Sequence, residues 1–448
     1  MSYGSGNLDS LQSSSRPLAG ERYTSREFMQ QEWENVWTKT WLITIREDEI
    51  PEAGDFMVEE IGRESILIAR QEDGSVKAFY NVCQHRGNKL VHVSEGSMPA
   101  FTCAYHSWRF ELDGTCSYAQ DPEDFPGGNP CPRASLIEVV CDTFGGFVWI
   151  NMDLDCAPLR DSLGPIWSEW QAYPLENMVR IQALSVKMPC NWKLLMDNFH
   201  ETYHLPTAHP EGIEYAEDHY SETRLELYEN GHALGQTKCC LPAHRLPETK
   251  SPMTDPVAAD LRAWDLDPAN FAGRERDARE AIQRQKRALS ASRGLQYYDK
   301  MSDDQLTDVF HYTVFPNFAT SLNPDGMLFL RAMPHRDDPE NCLFDCWYYS
   351  FGGANANTGL VTLNGHKLEP AEREIVAYGE KSLGVVLDGD AWVMAGQQEG
   401  MRSRGYLGAI LANQERRVAQ YHDMIDRYID GFRPRPRSAK EGRTGITA

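Results

Sequence analysis

Apolar positions set the first outline of the chain. Between Ser25 and Trp41, Phe28, Trp33, Val36, Trp37 and Trp41 recur mostly at three- to five-residue intervals. Thr24 and Ser25 precede them as possible caps, and Glu27 lies in the first turn; this predicts an amphipathic helix. From Trp41 to Ile150 the texture changes to short β-like runs, Trp41–Ile45, Ser65–Ala69, Val76–Val82, Ala100–Thr102 and Gly146–Ile150, divided by Gly, Pro and Asp turns. A small all-β domain follows from that spacing. Strands resume at Val179–Met188, Leu225–Leu227, Thr313–Phe315, Met327–Met333 and Phe344–Tyr349, a pattern consistent with a curved antiparallel sheet gripping a pocket. Asn413–Ile429 reads as a terminal helix. The expected class is α+β. A tail and helix occupy 1–40, the β domain 41–160 and a second domain 161–432; 241–305 is an insertion and 433–448 a flexible tail. Within the insertion, Arg274 to Arg293 is helix-like and basic. It reads as an exposed helix, or alternatively as a cap on the pocket or a landing site for a partner.

Composition narrows the partners. A net charge of −22 over 448 residues argues against nucleic acid or an anionic membrane. No run approaches the ~18 apolar residues of a membrane span, and the first residues are polar, so a cytoplasmic location is expected. Eleven cysteines in such a chain should be reduced, which makes regularly spaced ones better ligands than disulfides.

Two stretches carry chemistry. Cys83-Gln84-His85-Arg86-Gly87 and Cys103-Ala104-Tyr105-His106-Ser107-Trp108 give the spacing C-x-H-x17-C-x2-H, a four-point site for zinc or an iron–sulfur pair. In a Rieske centre two thiolates hold one iron and two imidazoles the other, and the order Cys, His, Cys, His lets each loop serve both irons. The second stretch runs from Asn191 to Pro210. On one continuous helix Asp197, His200, Glu201 and His204 would share a side, and a break at Pro206 could bring His209 round to His204. Two metal readings compete here. His200-Glu201-x-x-His204 fits a zinc peptidase, with Glu201 as general base. Glu201-x-x-His204-x4-His209 fits an iron site completed by a remote carboxylate.

Both stretches together resemble the Rieske-type non-haem iron oxygenases, the large (alpha) subunits of ring-hydroxylating systems. Gly145, Phe147-Val148-Trp149-Ile150-Asn151 resembles the closing strand of their Rieske domain, and Asn191-Trp192-Lys193 with Asp197-Asn198-Phe199 their second motif. The similarity covers roughly Thr24 to Ile429. It implies an N-terminal Rieske domain and a catalytic domain of helix-grip type. Its implied cofactors are a [2Fe–2S] cluster on Cys83, His85, Cys103 and His106 and one mononuclear Fe(II) on His204, His209 and Asp390, with Glu201 and Asp197 as candidate catalytic residues. Asp390 comes from the register of Leu387 to Gln398 against the family's ligand helix; Asp388 is second, and either could be a helix cap. His200 is left as a non-ligand. Ser107 stands where the family usually has glycine, and Glu201 where many members have aspartate; glutamate occurs in branches acting on quaternary amines.

The resemblance implies a terminal oxygenase that uses O2 and electrons from a reductase or ferredoxin. Its expected action is hydroxylation of a small, by family prior aromatic, substrate through cis-dihydroxylation or monooxygenation; the alternative is demethylating monooxygenation, as of a quaternary amine. It also implies a homotrimer or an alpha3beta3 assembly, with Glu201 linking His204 to His106 across a subunit boundary. The rival classes each leave residues unexplained: a zinc peptidase the Cys/His quartet, and a pure Rieske electron carrier His204, His209 and Asp390.

Overall fold

The computed structural model describes residues 18–351 and 371–434, so the expected lead-in and C-terminal tail fall largely outside it. The chain begins with α1 (Glu21–Thr24) and α2 (Arg26–Glu32), the latter capped by Ser25, whose hydroxyl accepts from the Phe28 N–H at 3.1 Å. A π-helical turn over Trp33–Trp37 replaces the end of the expected single helix. Residues 18–36 belong to the same compact unit as Pro165–Phe432, and Trp37–Gly164 forms a second unit.

That second unit is built on ten short strands: β1 (Leu42–Arg46), β2 (Asp55–Ile61), β3 (Glu64–Arg70), β4 (Val76–Tyr80), β5 (Glu95–Ser97), β6 (Ala100–Thr102), β7 (Arg109–Glu111), β8 (Cys116–Tyr118), β9 (Glu138–Phe144) and β10 (Phe147–Asn151). They form a seven-stranded sheet in the order β1-β10-β9-β4-β3-β2-β5 and a three-stranded sheet β6-β7-β8, and a short α3 (Leu159–Leu163) follows. Phe56, Leu67, Phe79, Phe101, Trp108 and Phe110 pack in one buried cluster that includes Cys83 and Cys103. The sulfurs of the C-x-H and C-x2-H motifs are thus rooted in the core, while their loops reach outward.

The other unit continues with α4 (Pro165–Glu169), β11 (Val179–Met188), α5 (Trp192–Phe199), α6 (Leu205–Ala208), β12 (Arg224–Leu227) and β13 (Ala233–Thr237). The insertion folds as α7 (Asp255–Ala263), α8 (Ala278–Leu289) and short 3-10 turns. Its basic residues turn partly inward: Arg279 pairs with Asp304 and Asp308, and Lys286 is buried with Nζ on the Leu306 carbonyl at 2.7 Å. Then come β14 (Val309–Val314), β15 (Phe318–Asn323), β16 (Gly326–Pro334), β17 (Cys342–Ser350), β18 (Glu374–Ala377), α9 (Val385–Met401) and α10 (Arg416–Ile429). The eight strands run β12-β13-β14-β15-β16-β17-β11-β18, antiparallel except for the parallel β11/β18 pair.

Alternation along these strands gives the sheet two faces. One carries Arg331 and Asp345, both fully buried and 2.7 Å apart, and Tyr312 and Phe318 packed under Trp170. On the other, the register lines up Gly235, His311, Ser321, Leu328 and Tyr348 in one cross-strand row. Helix α5 lies over this second face, with Phe199 stacked on Phe344 at 5.7 Å and 6.4 Å from the His311 ring.

Candidate metal centres

The two loops of the β unit follow one plan. In each, the cysteine N–H donates to the carbonyl five residues on, Cys83 to Asn88 at 2.9 Å and Cys103 to Trp108 at 2.8 Å. The residue four on donates back, Gly87 to Cys83 at 3.0 Å and Ser107 to Cys103 at 2.9 Å. Burial disfavours ionising both thiols and pushes Cys83 up to about 11. Backbone N–H groups of His85 and Arg86 on one side, and of Tyr105 and His106 on the other, oppose it; Cys103, which also accepts from Cys83, lies below its ordinary value. Backbone donors aimed at sulfur are what thiolate ligands need. His85 and His106 bring their Nδ1 atoms to 3.1 Å, and Trp108 stacks on His85 at 4.9 Å and 7°. Two sulfurs in the core and two ring nitrogens converging at the loop tips suit a cluster of two irons, one held by each pair.

Ser107 does not alter its loop. It adopts φ +59°, beside φ +73° for the equivalent Gly87, so the side chain is carried in a left-handed conformation that glycine takes without cost. Ser107→Gly is therefore expected to stabilise the cluster-loaded β unit by about 1 kcal/mol, read as a higher melting temperature of that unit by calorimetry; an unchanged or lower one contradicts the strain.

The second stretch departs from the expected continuous helix. Asn191 caps α5, its side chain accepting from the Lys193 N–H at 2.9 Å, but the helix ends at Phe199, before Glu201 rather than at Pro206. The Glu201 carboxylate accepts from the N–H groups of Tyr203 and His204, so a side chain takes donors that a continuing helix would use. Pro206 instead opens α6, where a missing N–H costs nothing. His204 and His209 flank this single turn, and their rings come to 5.2 Å.

Asp390, buried on α9, completes the group. His209 Nε2 lies 2.8 Å and His204 Nε2 3.6 Å from its Oδ1, and the three ligand atoms fall within 4.8 Å of one another. The Glu201 carboxylate holds His204 Nδ1 at 2.6 Å, which fixes the tautomer and leaves Nε2 for a metal. Burial works against protonating His204, yet Glu201 and then Asp390 outweigh it and raise its pKa. Two imidazoles and one carboxylate are the donor set of a facial triad with open positions. Asp388, by contrast, sits in the first turn of α9 and reaches back to the segment before the helix, accepting from the Leu383 N–H at 2.8 Å and the Ser382 hydroxyl at 2.5 Å.

The remaining candidates stand apart from this group. His200 donates from Nδ1 to the Met196 carbonyl at 2.6 Å and packs on Tyr421 at 4.6 Å; burial pulls its pKa down to about 3, so the ring is neutral. That arrangement does not join His200 and His204 in a peptidase pair. Asp197 accepts from Tyr23 Oη at 2.7 Å and contacts His422 Nε2 at 2.8 Å, tying α5 to α1 and α10. Burial alone would raise its pKa, but His422 outweighs it and keeps the carboxyl below the usual range. Two neighbours were not singled out by sequence reasoning: Tyr348, near Asp390, and Arg417, near Glu201. The signal for Arg417 was present, since it falls in the buried stripe Arg417, Val418, Tyr421, Met424, Ile425 and Tyr428 of α10.

Comparison with known proteins agrees on one family. The family model "Ring hydroxylating alpha subunit (catalytic domain)" matches residues 175–431, and the model "Rieske [2Fe-2S] domain" matches 40–127. The carnitine monooxygenase oxygenase subunit of Escherichia coli K12 is 35% identical over 190 residues, covering 42% of this chain and 50% of that protein. The methanesulfonate monooxygenase hydroxylase subunit alpha of Methylosulfonomonas methylovora is 31% identical over 227 residues, 47% and 54% of the respective chains. The chain thus spans about half the length of the curated relatives it matches. A crystal structure of a naphthalene 1,2-dioxygenase mutant bound to phenanthrene shares the fold, with a TM-score of 0.67 at 18% identity over 94% of both chains. No helix among the described residues is long and apolar enough to cross a membrane. With a catalytic-domain match over more than half of its length and a Rieske match ahead of it, the chain belongs to the ring-hydroxylating alpha-subunit family.

Proposed function

We propose that this chain is the terminal oxygenase component of a multi-protein system, using O2 and electrons from a reductase or ferredoxin to hydroxylate a small organic substrate. The observation that carries the reading is the meeting of His204, His209 and Asp390 within 4.8 Å, in a chain that also pairs His85 with His106 beside two buried cysteines. His204, His209 and Asp390 would hold the mononuclear iron, and Cys83, Cys103, His85 and His106 the [2Fe–2S] cluster. When bound, these groups supply one-electron transfer and O2 activation, chemistry that protein side chains lack. The chain's own residues orient and shield. Glu201 fixes the imidazole of His204, and the Asp197–His422–Tyr23 contacts fix the helix that precedes it.

Electron supply between subunits would place Glu201 opposite the partner subunit's His106, which calls for a trimer or an assembly containing one. Exposed Val385, Val386 and Trp392 on α9, and Leu407 and Ile410 beyond it, give such an assembly apolar surface to cover. Eleven free cysteines support a reducing, cytoplasmic setting. Two substrate readings follow, an arene by family prior and a quaternary amine, which glutamate at 201 and the similarity to carnitine monooxygenase favour. The test is reconstitution with a ferredoxin and reductase under 18O2, using naphthalene and carnitine as representatives. Labelled hydroxylated product, or label in the fragment released by demethylation, is expected with one of the two; NADH-driven O2 uptake that yields only peroxide with both would contradict the reading.

A further inference from the structure

Four arginines are buried among the described residues: Arg22, Arg46, Arg331 and Arg417. Three face a carboxylate, Arg22 on Asp426 at 2.8 Å, Arg46 on Asp48 at 3.1 Å and Arg331 on Asp345 at 2.7 Å. Arg417 faces none. It is 1% exposed, its one hydrogen bond runs from Nη1 to the His311 carbonyl at 3.5 Å, and its Nε is buried with no partner. A buried cation left unpaired is among the costlier arrangements in a folded protein.

The surroundings are shaped around this guanidinium. It lies against Gly235, where an added Cβ would come within 3.0–3.1 Å of Cζ and both terminal nitrogens. Gly235 pairs with His311 in the row beneath α5, and His311 Nε2 is also buried without a partner, its Nδ1 being engaged by Ser321 Oγ at 2.8 Å. Burial, and next Arg417, pull the His311 pKa down to about 3, so the ring is neutral and adds no second positive charge. Glu201, the one carboxylate whose field opposes the burial of Arg417, is occupied by His204 Nδ1 and by backbone N–H groups. Among the described residues, then, a buried cation near Glu201 and the iron-ligand group has no carboxylate of its own.

We propose that Arg417, with His311 beside it, receives the anionic group of the substrate, so that this oxygenase acts on a small carboxylate or sulfonate, zwitterions included, rather than on a neutral arene. The inference rests on the oxygenase reading and gives it a substrate class. A carboxylate or sulfonate would accept from Nε–H and a terminal N–H of one guanidinium face, and charge-assisted bonds of that kind are about twice as strong as neutral ones. The rest of the molecule would then extend along the Ser321–Leu328–Tyr348 row toward Asp390.

The test is calorimetric binding to the iron-loaded enzyme of matched pairs that differ in the anionic group: benzoate and benzamide, glycine betaine and choline, methanesulfonate and methanesulfonamide. Wild type is expected to bind at least one acid tenfold or more tighter than its counterpart. Arg417→Gln should abolish that preference and Arg417→Lys should keep part of it. No preference in wild type, or one unchanged in Arg417→Gln, overturns the inference. If Arg417→Gln fails to fold, wild type against Arg417→Lys decides: a preference reduced in Arg417→Lys supports the inference and an unchanged one overturns it. Iron content and the reduced-cluster spectrum are read on the same preparations. Their absence defeats the oxygenase reading itself, whereas their presence with no anion preference defeats only the assignment of Arg417.

Discussion

Asp390→Ala is expected to remove one iron per chain and all substrate oxidation while leaving the reduced-cluster signal unchanged. Asp390 is the single carboxylate of the group, buried and 2.8 Å from His209 Nε2, and no other described acidic residue joins that group. Asp388, two positions earlier, is engaged instead by the Ser382 hydroxyl and the Leu383 N–H. Replacing outer residues of metal sites costs about 10–100-fold in affinity or activity, so loss of a ligand should exceed ~100-fold. Metal analysis and single-turnover product yield, measured together, check this. An Asp390→Ala enzyme that keeps its iron and turns over would move the third ligand elsewhere.

The second large effect is on stability. Lys193 and Glu32 are 0% and 1% exposed, with Nζ and Oε1 2.8 Å apart, and Nζ also donates to Asn191 Oδ1 at 2.8 Å. Burial lowers the pKa of the lysine and raises that of the glutamate, each restrained by the other. Lys193→Met strands a buried carboxylate and should cost ~3–5 kcal/mol, whereas changing both residues to apolar ones should recover most of it. Calorimetric unfolding of the two variants tests the pair, and equal losses in both would show that the charges are not coupled. Because Glu32 ends α2 and Lys193 opens α5, the single variant should also loosen the segment that presents Glu201 and His204.

Much of this was legible in the chain. β-branched and aromatic runs located β1, β3, β4, β6, β10, β11, β12, β14, β16 and β17, because such runs suit a half-buried pleated surface, but not β2, β5, β7, β8, β9, β13, β15 or β18. The Cys83/His85 and Cys103/His106 spacing marked a four-point metal site, and the resemblance to the family turned that into a Rieske cluster. What periodicity could not give was the end of α5. A helical wheel treats Glu201 as one more position on a face, whereas its carboxylate captures the N–H groups of Tyr203 and His204 and stops the helix. Asp390 came from register against a family and not from its own surroundings, because its partners His204 and His209 lie more than 180 residues away in sequence. Arg417 lies in the expected terminal helix Asn413–Ile429, and nothing in its type alone marks it as buried. The helical stripe places Arg417 on the buried side of α10, and the structure adds what it meets there, Gly235 and the His311 carbonyl.

The most direct measurement is the metal content of anaerobically purified wild-type protein, taken with the EPR spectrum after dithionite reduction. Three irons per chain, two of them giving a Rieske signal, are the predicted result. One zinc per chain with no cluster signal in active protein would contradict it.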